Sequence, residues 1–341
     1  MNFWQDKAKV SFLLAWAMIF LGGCGNGSLP ELEENLAEVI EKAGPSVVCI
    51  VAKNESSGHV KIGSGVILKG GYILTTENIL GNVDNITVKL QDGSIIPDDK
   101  VERVYCDFET NVSLIQVEAK DLKPIKIMEG EKIRNGTLGI ALGNTNYSKG
   151  LQVSMGTVSH SWIGGADAYD ENLLIWNGAK VPYPSGTPVF NCKGELLGIT
   201  EGKPEEEDGV IFMLPATTCL RVSEVLKKDG QVRRGWIGIY SEGSCSKFKR
   251  AKVGTGVLIA EIVKESPAFR SGLEAGDRVI KFNGETIKSS AQLRKLVSAS
   301  QVGSQLILTI IRDGETRERE VIIKTEEYNG FGMRRCPHRS I

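Results

Sequence analysis

The sequence predicts a mainly β protein: a sandwich or a pair of barrels, followed by a smaller unit mixing strands and helices. Three observations lead there. From Ser46 to Pro215 short apolar runs alternate with turn residues. Glycine is abundant, 39 of 341 residues, and aromatics are sparse at 6%, which favours turns and short strands over long helices. Beyond Gly235 the pattern changes to strands interrupted by two helical stretches. A chain of this length accommodates two domains of about 150 residues each.

The N-terminus reads as a targeting segment over residues 1–23. Lys7 and Lys9 precede an apolar run, Val10 to Leu21, broken only by Ser11. That run falls short of the roughly 20 residues needed to cross a bilayer. Leu21-Gly22-Gly23-Cys24 resembles the bacterial lipobox, which implies lipidation at Cys24; an uncleaved anchor is the alternative. Either reading tethers the protein to a membrane outside the cytoplasm, in the bacterial envelope, facing the periplasm or the cell exterior. Residues 24–44 form a linker and a helix, Leu29 to Ala43, with Leu32, Leu36, Val39 and Ile40 at helical spacing. Gly44-Pro45 ends that helix.

A β-rich domain is expected over 45–229. Its strands include Val47–Val51, Gly65–Leu68, Tyr72–Thr75, Ile86–Leu90, Val112–Val117, Leu138–Leu142, Val189–Phe190, Leu196–Thr200 and Val210–Leu214. Asp92-Gly93 and Lys193-Gly194 are hairpin-like turns. Thr217 to Lys228 reads as helix, stopped by Asp229-Gly230. A second domain spans 235–327: strand Val257–Val263, a short helix from Ser266-Pro267, and the hairpin signal Asn283-Gly284. Ser289 or Ser290 can cap a helix presenting Leu293, Leu296 and Val297 on one face. Leu306–Ile311 and Val321–Lys324 close the unit, and residues 328–341 read as a flexible tail.

Composition excludes several classes. With 41 Lys+Arg against 42 Asp+Glu the net charge is -1, so nothing marks a nucleic-acid partner. Three histidines, His59, His160 and His338, leave little room for imidazole chemistry. The six cysteines after Cys24 are widely spaced and permit disulfides in an exported chain or free thiols acting as small hydrophobes. Cys336 and His338 offer two ligands where structural zinc needs four, so no metal and no cofactor is expected.

Several runs, taken in order, resemble the high-temperature-requirement (HtrA) family of trypsin-fold serine proteases. They are Pro45-Ser46-Val47-Val48, Gly63-Ser64-Gly65-Val66-Ile67, Gly71-Tyr72-Ile73-Leu74-Thr75, Ala141-Leu142-Gly143-Asn144 and Gly209-Val210-Ile211-Phe212. Arg233-Arg234-Gly235-Trp236-Ile237-Gly238-Ile239 is similar to the family's join between protease and PDZ domains. Ser266-Pro267-Ala268 with Gly272-Leu273-x-x-Gly276-Asp277 looks like a PDZ signature. The resemblance implies a trypsin-like double β-barrel followed by a PDZ domain.

At the catalytic positions the resemblance fails. The family's base follows the Gly-Tyr-Ile-Leu-Thr strand, which places Asn78 there; its carboxylate position is filled by Asn111. The nucleophile run reads Val181-Pro182-Tyr183-Pro184-Ser185-Gly186-Thr187-Pro188, so Ser185 alone matches. An amide is not basic near neutral pH, so Asn78 cannot take a proton from Ser185. By resemblance the oxyanion donors are the N–H groups of Ser185 and Tyr183, and Pro184 restricts the Tyr183 backbone. His59 and His160 read as exposed structural histidines. Glu77 reads as a solvated turn carboxylate, and Glu205 to Asp208 as a solvated hairpin tip.

The PDZ unit keeps its resemblance. It implies that Ile237, Gly238 and Ile239 present backbone amides to a peptide carboxylate, that Ile239-Tyr240-Ser241 pairs the peptide, and that Leu293 and Val297 line a side-chain pocket. Leu296 is equally readable as core. The favoured reading is an exported, membrane-tethered pseudoprotease in envelope quality control that binds protein C-termini or unfolded polypeptides, with a homotrimer possible by resemblance. An active serine endopeptidase with an unusual base, and a partner subunit of an active homologue, remain alternatives.

Overall fold

The computed structural model describes residues 29–81, 83–128, 133–144, 150–161, 173–179, 185–202, 211–241, 256–312 and 318–327. Cys24, Tyr183, the acidic run 205–208 and the tail 328–341 lie outside them, as do the side chain of His160 and all of Cys336 and His338. Among the described residues no helix is long and apolar enough to cross a membrane.

Helix α1 (Leu29–Ala43) leads into a short turn of helix over Gly44–Ser46, where Pro45 forbids continuation. Seven strands then form one curled antiparallel sheet: β1 (Val47–Lys53), β2 (Val60–Leu68), β3 (Tyr72–Thr76), β4 (Asn85–Lys89), β5 (Ile95–Ile96), β6 (Val101–Asp107) and β7 (Val112–Val117), in the order β5-β4-β1-β2-β3-β7-β6. One turn of helix, α2 (Glu77–Leu80), follows β3. Six further strands close a barrel in the order β10-β13-β12-β11-β8-β9. They are β8 (Leu138–Gly143), β9 (Gln152–Ser161), β10 (Leu174–Gly178), β11 (Pro188–Phe190), β12 (Leu196–Thr200) and β13 (Ile211–Pro215). The first half is thus an open curled sheet and the second a closed barrel. Together they make the trypsin-like fold.

Alternation along the strands explains the packing. On β1 to β3, Val48, Ile50, Ile67 and Ile73 fill the inside of the curled sheet. Their neighbours Val47, Val66, Leu68 and Leu74 face the barrel and meet Ile140, Leu142, Phe190 and Leu214 there. Both faces are buried, which is why these strands read as unbroken apolar runs. The barrel has its own core around Trp176, Ala141 and Met213. Val39 and Ala43 of α1 and Val222 and Leu226 of α3 (Ala216–Asp229) join the shared layer. Gly230 caps α3 at φ 76, the left-handed position glycine takes without strain.

The C-terminal unit has a separate core. A ribbon of β14 (Gly235–Trp236) and β21 (Glu326–Glu327) closes its two ends. Its sheet runs β15 (Ile239–Ser241), β16 (Val257–Ile262), β17 (Arg278–Phe282), β19 (Gln305–Ile311), β20 (Arg319–Lys324), with β18 (Glu285–Thr286) on β17. Two helices complete it: α4 (Pro267–Arg270), capped by Ser266, and α5 (Ser290–Ala299), capped by Ser289. Arg312 donates to both oxygens of the fully buried Asp277, 2.8 and 3.0 Å. This is the PDZ fold.

The cysteines divide. Cys49 and Cys219 are buried free thiols, burial pushing Cys49 up to about 11. Cys192 is free but exposed, and Cys106 is disulfide-bonded. Of the two readings left open by the sequence, Cys49 and Cys219 follow the buried thiol and Cys106 the disulfide, while Cys192 follows neither.

Candidate functional site

Two sites follow from the fold. The first lies where the curled sheet meets the barrel. Ser185 is tied to β2 by its own carbonyl, which accepts from Ser64 N–H at 3.0 Å. The next residue, Gly186, has φ 72, and a Cβ there would sit 2.2 Å from Ser64 O, so only glycine fits. Asn78 sits on α2, and Asn111 opens the return from β6 into β7 at φ 56, a left-handed position that asparagine tolerates.

The structure brings these three residues together without making a proton relay. Asn78 N–H donates to Asn111 Oδ1 at 3.1 Å. The Asn78 side-chain amide and Ser185 Oγ donate to the same acceptor, Gly202 O, at 3.3 and 3.1 Å. Ser185 therefore addresses a backbone carbonyl, and among the described residues no group with a basic lone pair is bonded to it. Asn111 Nδ2 donates to Glu201 Oε1 at 3.0 Å, with both residues almost fully buried. The buried carboxylate of this site thus sits on β12's exit, not at position 111. Sequence reasoning missed Glu201 because the barrel's closure, not local spacing, places it beside Asn111.

Other expectations shift. Glu77 is half-buried, its carboxylate folded back over Gly81, rather than solvated. His59 is exposed, as the sequence predicts, and its ring bonds Ser57 Oγ at 3.0 Å. Tyr183 lies outside the described residues, so the oxyanion pair is represented by Ser185 alone. No group of three or more His, Cys, Asp or Glu side chains among the described residues could hold a metal.

The second site is the groove between β15 and α5. Among the described strands β15 pairs with β16 alone, and its other edge lies along the groove lined by α5. The N–H groups of Ile237 and Gly238 donate to no acceptor among the described residues. Leu293 and Val297 line the groove and also belong to the core, while Leu296 packs against that core from a partly buried position. Gly238 has φ 79, and a Cβ there would meet Ser266 Cβ at 2.2 Å, so a valine at 238 would displace the α4 cap as well as obstruct the loop. Glu109, from the turn between β6 and β7, also lines this groove. The turn is clamped by Arg234, whose terminal nitrogens donate to both Asp107 oxygens at 2.6 Å.

The comparisons agree with this architecture. A trypsin-like peptidase domain matches residues 63–199 and a PDZ domain matches 231–323. A probable periplasmic serine endoprotease, DegP-like, of Pseudomonas putida (strain W619) is 30% identical over 313 residues, 87% of this chain and 63% of that protein. Serine endoprotease DegS of Haemophilus influenzae is 29% identical over 301 residues, covering 83% of this chain and 85% of that protein. The chain spans under two thirds of the length of the DegP-like relatives it matches. Among solved structures, the serine endoprotease from Yersinia pestis superposes with a TM-score of 0.71 at 25% identity, over 86% of this chain and 98% of that one. The HtrA-type protease AlgW with decapeptide has the same fold, TM-score 0.71 at 21% identity over 86% and 98% of the two chains.

Proposed function

Because this chain belongs to the HtrA family, a trypsin-like peptidase domain followed by a PDZ domain, we propose that it is an envelope pseudoprotease that captures protein termini. In this reading the peptidase-fold domain covers 45–229 and the PDZ domain 235–327. The PDZ groove takes C-termini or unfolded segments, Cys24 carries the membrane anchor, and a trimer is the assembly. The observation that carries the reading is the hydrogen-bonding of Ser185. Its Oγ donates to Gly202 O, and the residue beside it is an amide that donates to the same oxygen. Without a base the hydroxyl keeps its proton, and losing the base of such a triad costs on the order of 10⁶-fold in turnover. Capture is supported by the edge of β15 and by the N–H groups of Ile237 and Gly238, none of which is paired among the described residues.

The test is cleavage of casein or of an unfolded protein by the purified chain and by its Ser185→Ala variant. Indistinguishable, background-level traces are expected. Robust cleavage abolished by Ser185→Ala would overturn the proposal in favour of an active endopeptidase with an unusual base.

A further inference from the structure

The PDZ groove is not made by the PDZ unit alone. Glu109 belongs to the turn between β6 and β7, yet it lines the groove together with Gly235 and Trp236. Arg234 fixes it there, with Nε 3.1 Å from Glu109 Oε2 while the terminal nitrogens are committed to Asp107. The Arg234 and Glu109 side chains are only 13% and 18% exposed. One guanidinium is therefore shared between two carboxylates, and Arg294 is the second cation acting on Glu109. Glu109 Oε1 accepts from no donor among the described residues, so this groove-lining carboxylate keeps an oxygen for a cationic side chain of a bound peptide. The other charged side chain in the lining is Arg294 on α5; the polar remainder is neutral, Ser241, Ser290, Ser298 and Tyr240.

We propose that Glu109 is a specificity-determining residue of this groove, favouring peptides with Lys or Arg beside their C-terminus and disfavouring Asp or Glu there. A bound peptide removes water from the space in front of Glu109, so a like charge loses hydration and a cation replaces it. The carboxylate is already held by Arg234 and gives up little rotamer freedom on pairing, which is the usual offset for exposed ion pairs. Fixed charge at the margin of a groove sets partner choice more than total affinity. The inference rests on the groove being a peptide site, as proposed above.

The experiment is fluorescence anisotropy with the full chain. The peptides share one apolar C-terminal residue, carry Lys, Gln or Glu at the two positions before it, and have free or amidated termini. Wild type is expected to bind the Lys peptide roughly fivefold to tenfold tighter than the Glu peptide. Glu109→Gln should bring that ratio toward one, and Arg294→Gln should raise it. An independent measurement needs no substitution: raising salt to about 0.5 M should shrink the wild-type ratio. A ratio unchanged in Glu109→Gln, or, if that variant does not fold, unchanged by salt, overturns the role of Glu109. Free and amidated peptides binding equally with the Lys preference intact would reject carboxylate capture and leave Glu109 standing. No binding by any peptide overturns both.

Discussion

Replacing Asn111 by Asp is the first step anyone would take to rebuild a catalytic triad here, and the structure says that it destabilises the protein. Asn111 Nδ2 donates to Glu201 Oε1 at 3.0 Å, and both residues are nearly buried, 7% and 6% exposed. An aspartate has no N–H to give, so the change deletes a charge-assisted hydrogen bond worth about 1.5–3 kcal/mol. It also sets two carboxylates against each other. At an effective dielectric of about 20, two like charges 3 Å apart repel by roughly 5 kcal/mol, a cost that the pair evades by holding one proton between them. The folded variant then binds a proton that the unfolded chain releases near pH 4, where free carboxyls titrate. More protons bound in the folded state means that stability falls as pH rises through that window, by up to about 1.4 kcal/mol per pH unit. Urea unfolding of wild type and Asn111→Asp between pH 4.5 and 8 should show a gap of about 3–5 kcal/mol at the upper end that narrows toward the lower. Adding Glu201→Gln should remove most of the gap. A pH-independent difference, or none at all at pH 8, would refute the argument. The functional corollary is that Asn78→His with Asn111→Asp cannot restore proteolysis while Glu201 remains.

Asp107→Ala should cost about 1.5–3 kcal/mol in urea unfolding, because it deletes two charge-assisted 2.6 Å bonds to the buried Arg234 guanidinium while its contact with Glu109 stays; a loss below about 0.5 kcal/mol would show that the Asp107 pair contributes little to stability. Alkylation of the native protein at pH 8, read by peptide mapping, should label the exposed Cys192 and spare Cys49, whose burial holds the thiol near 11; prompt modification of Cys49 would contradict its placement. Mass spectrometry of the protein from its native membrane should find diacylglycerol on Cys24, and an intact Met1 terminus would instead support an uncleaved anchor.

Much of the fold is legible locally. Gly230 stops α3 at a left-handed φ, Asn283 and Gly284 both have positive φ as a tight hairpin requires, and Ser289 caps α5 through Gln292 N–H. Each is a short-range signal carried by residue type. Strands β6 and β9 carry weaker local signals. β6 is an edge strand with charged Glu102 and Arg103 exposed, and β9 carries exposed Val153 and Met155 among polar residues. The decisive side-chain contacts leave no such trace. Asn111 and Glu201 are 90 residues apart, and Arg234 and Asp107 are 127 apart. Only closure of the barrel and docking of the PDZ unit make these residues neighbours.

The runs that carry the family resemblance include glycines and turn residues whose constraints are steric. Gly186 has no room for a Cβ because the two halves of the peptidase fold lock there: Ser64 N–H meets Ser185 O, and Gly186 N–H meets Thr200 O at 2.8 Å. Gly63 is held by the same junction, since a Cβ there would approach Ser185 O to 2.9 Å. These positions stabilise the fold whether or not a proton ever moves, so their presence argues for architecture and is silent on turnover. Ser185 itself has structural work as a donor to Gly202 O, which is enough to keep a hydroxyl at this position. Chemistry has to be read from the residues that steric demand leaves free to vary. Asn78, Asn111 and Glu201 are linked by hydrogen bonds to one another and to the backbone, and the carboxylate of Glu201 accepts from an amide instead of orienting a base.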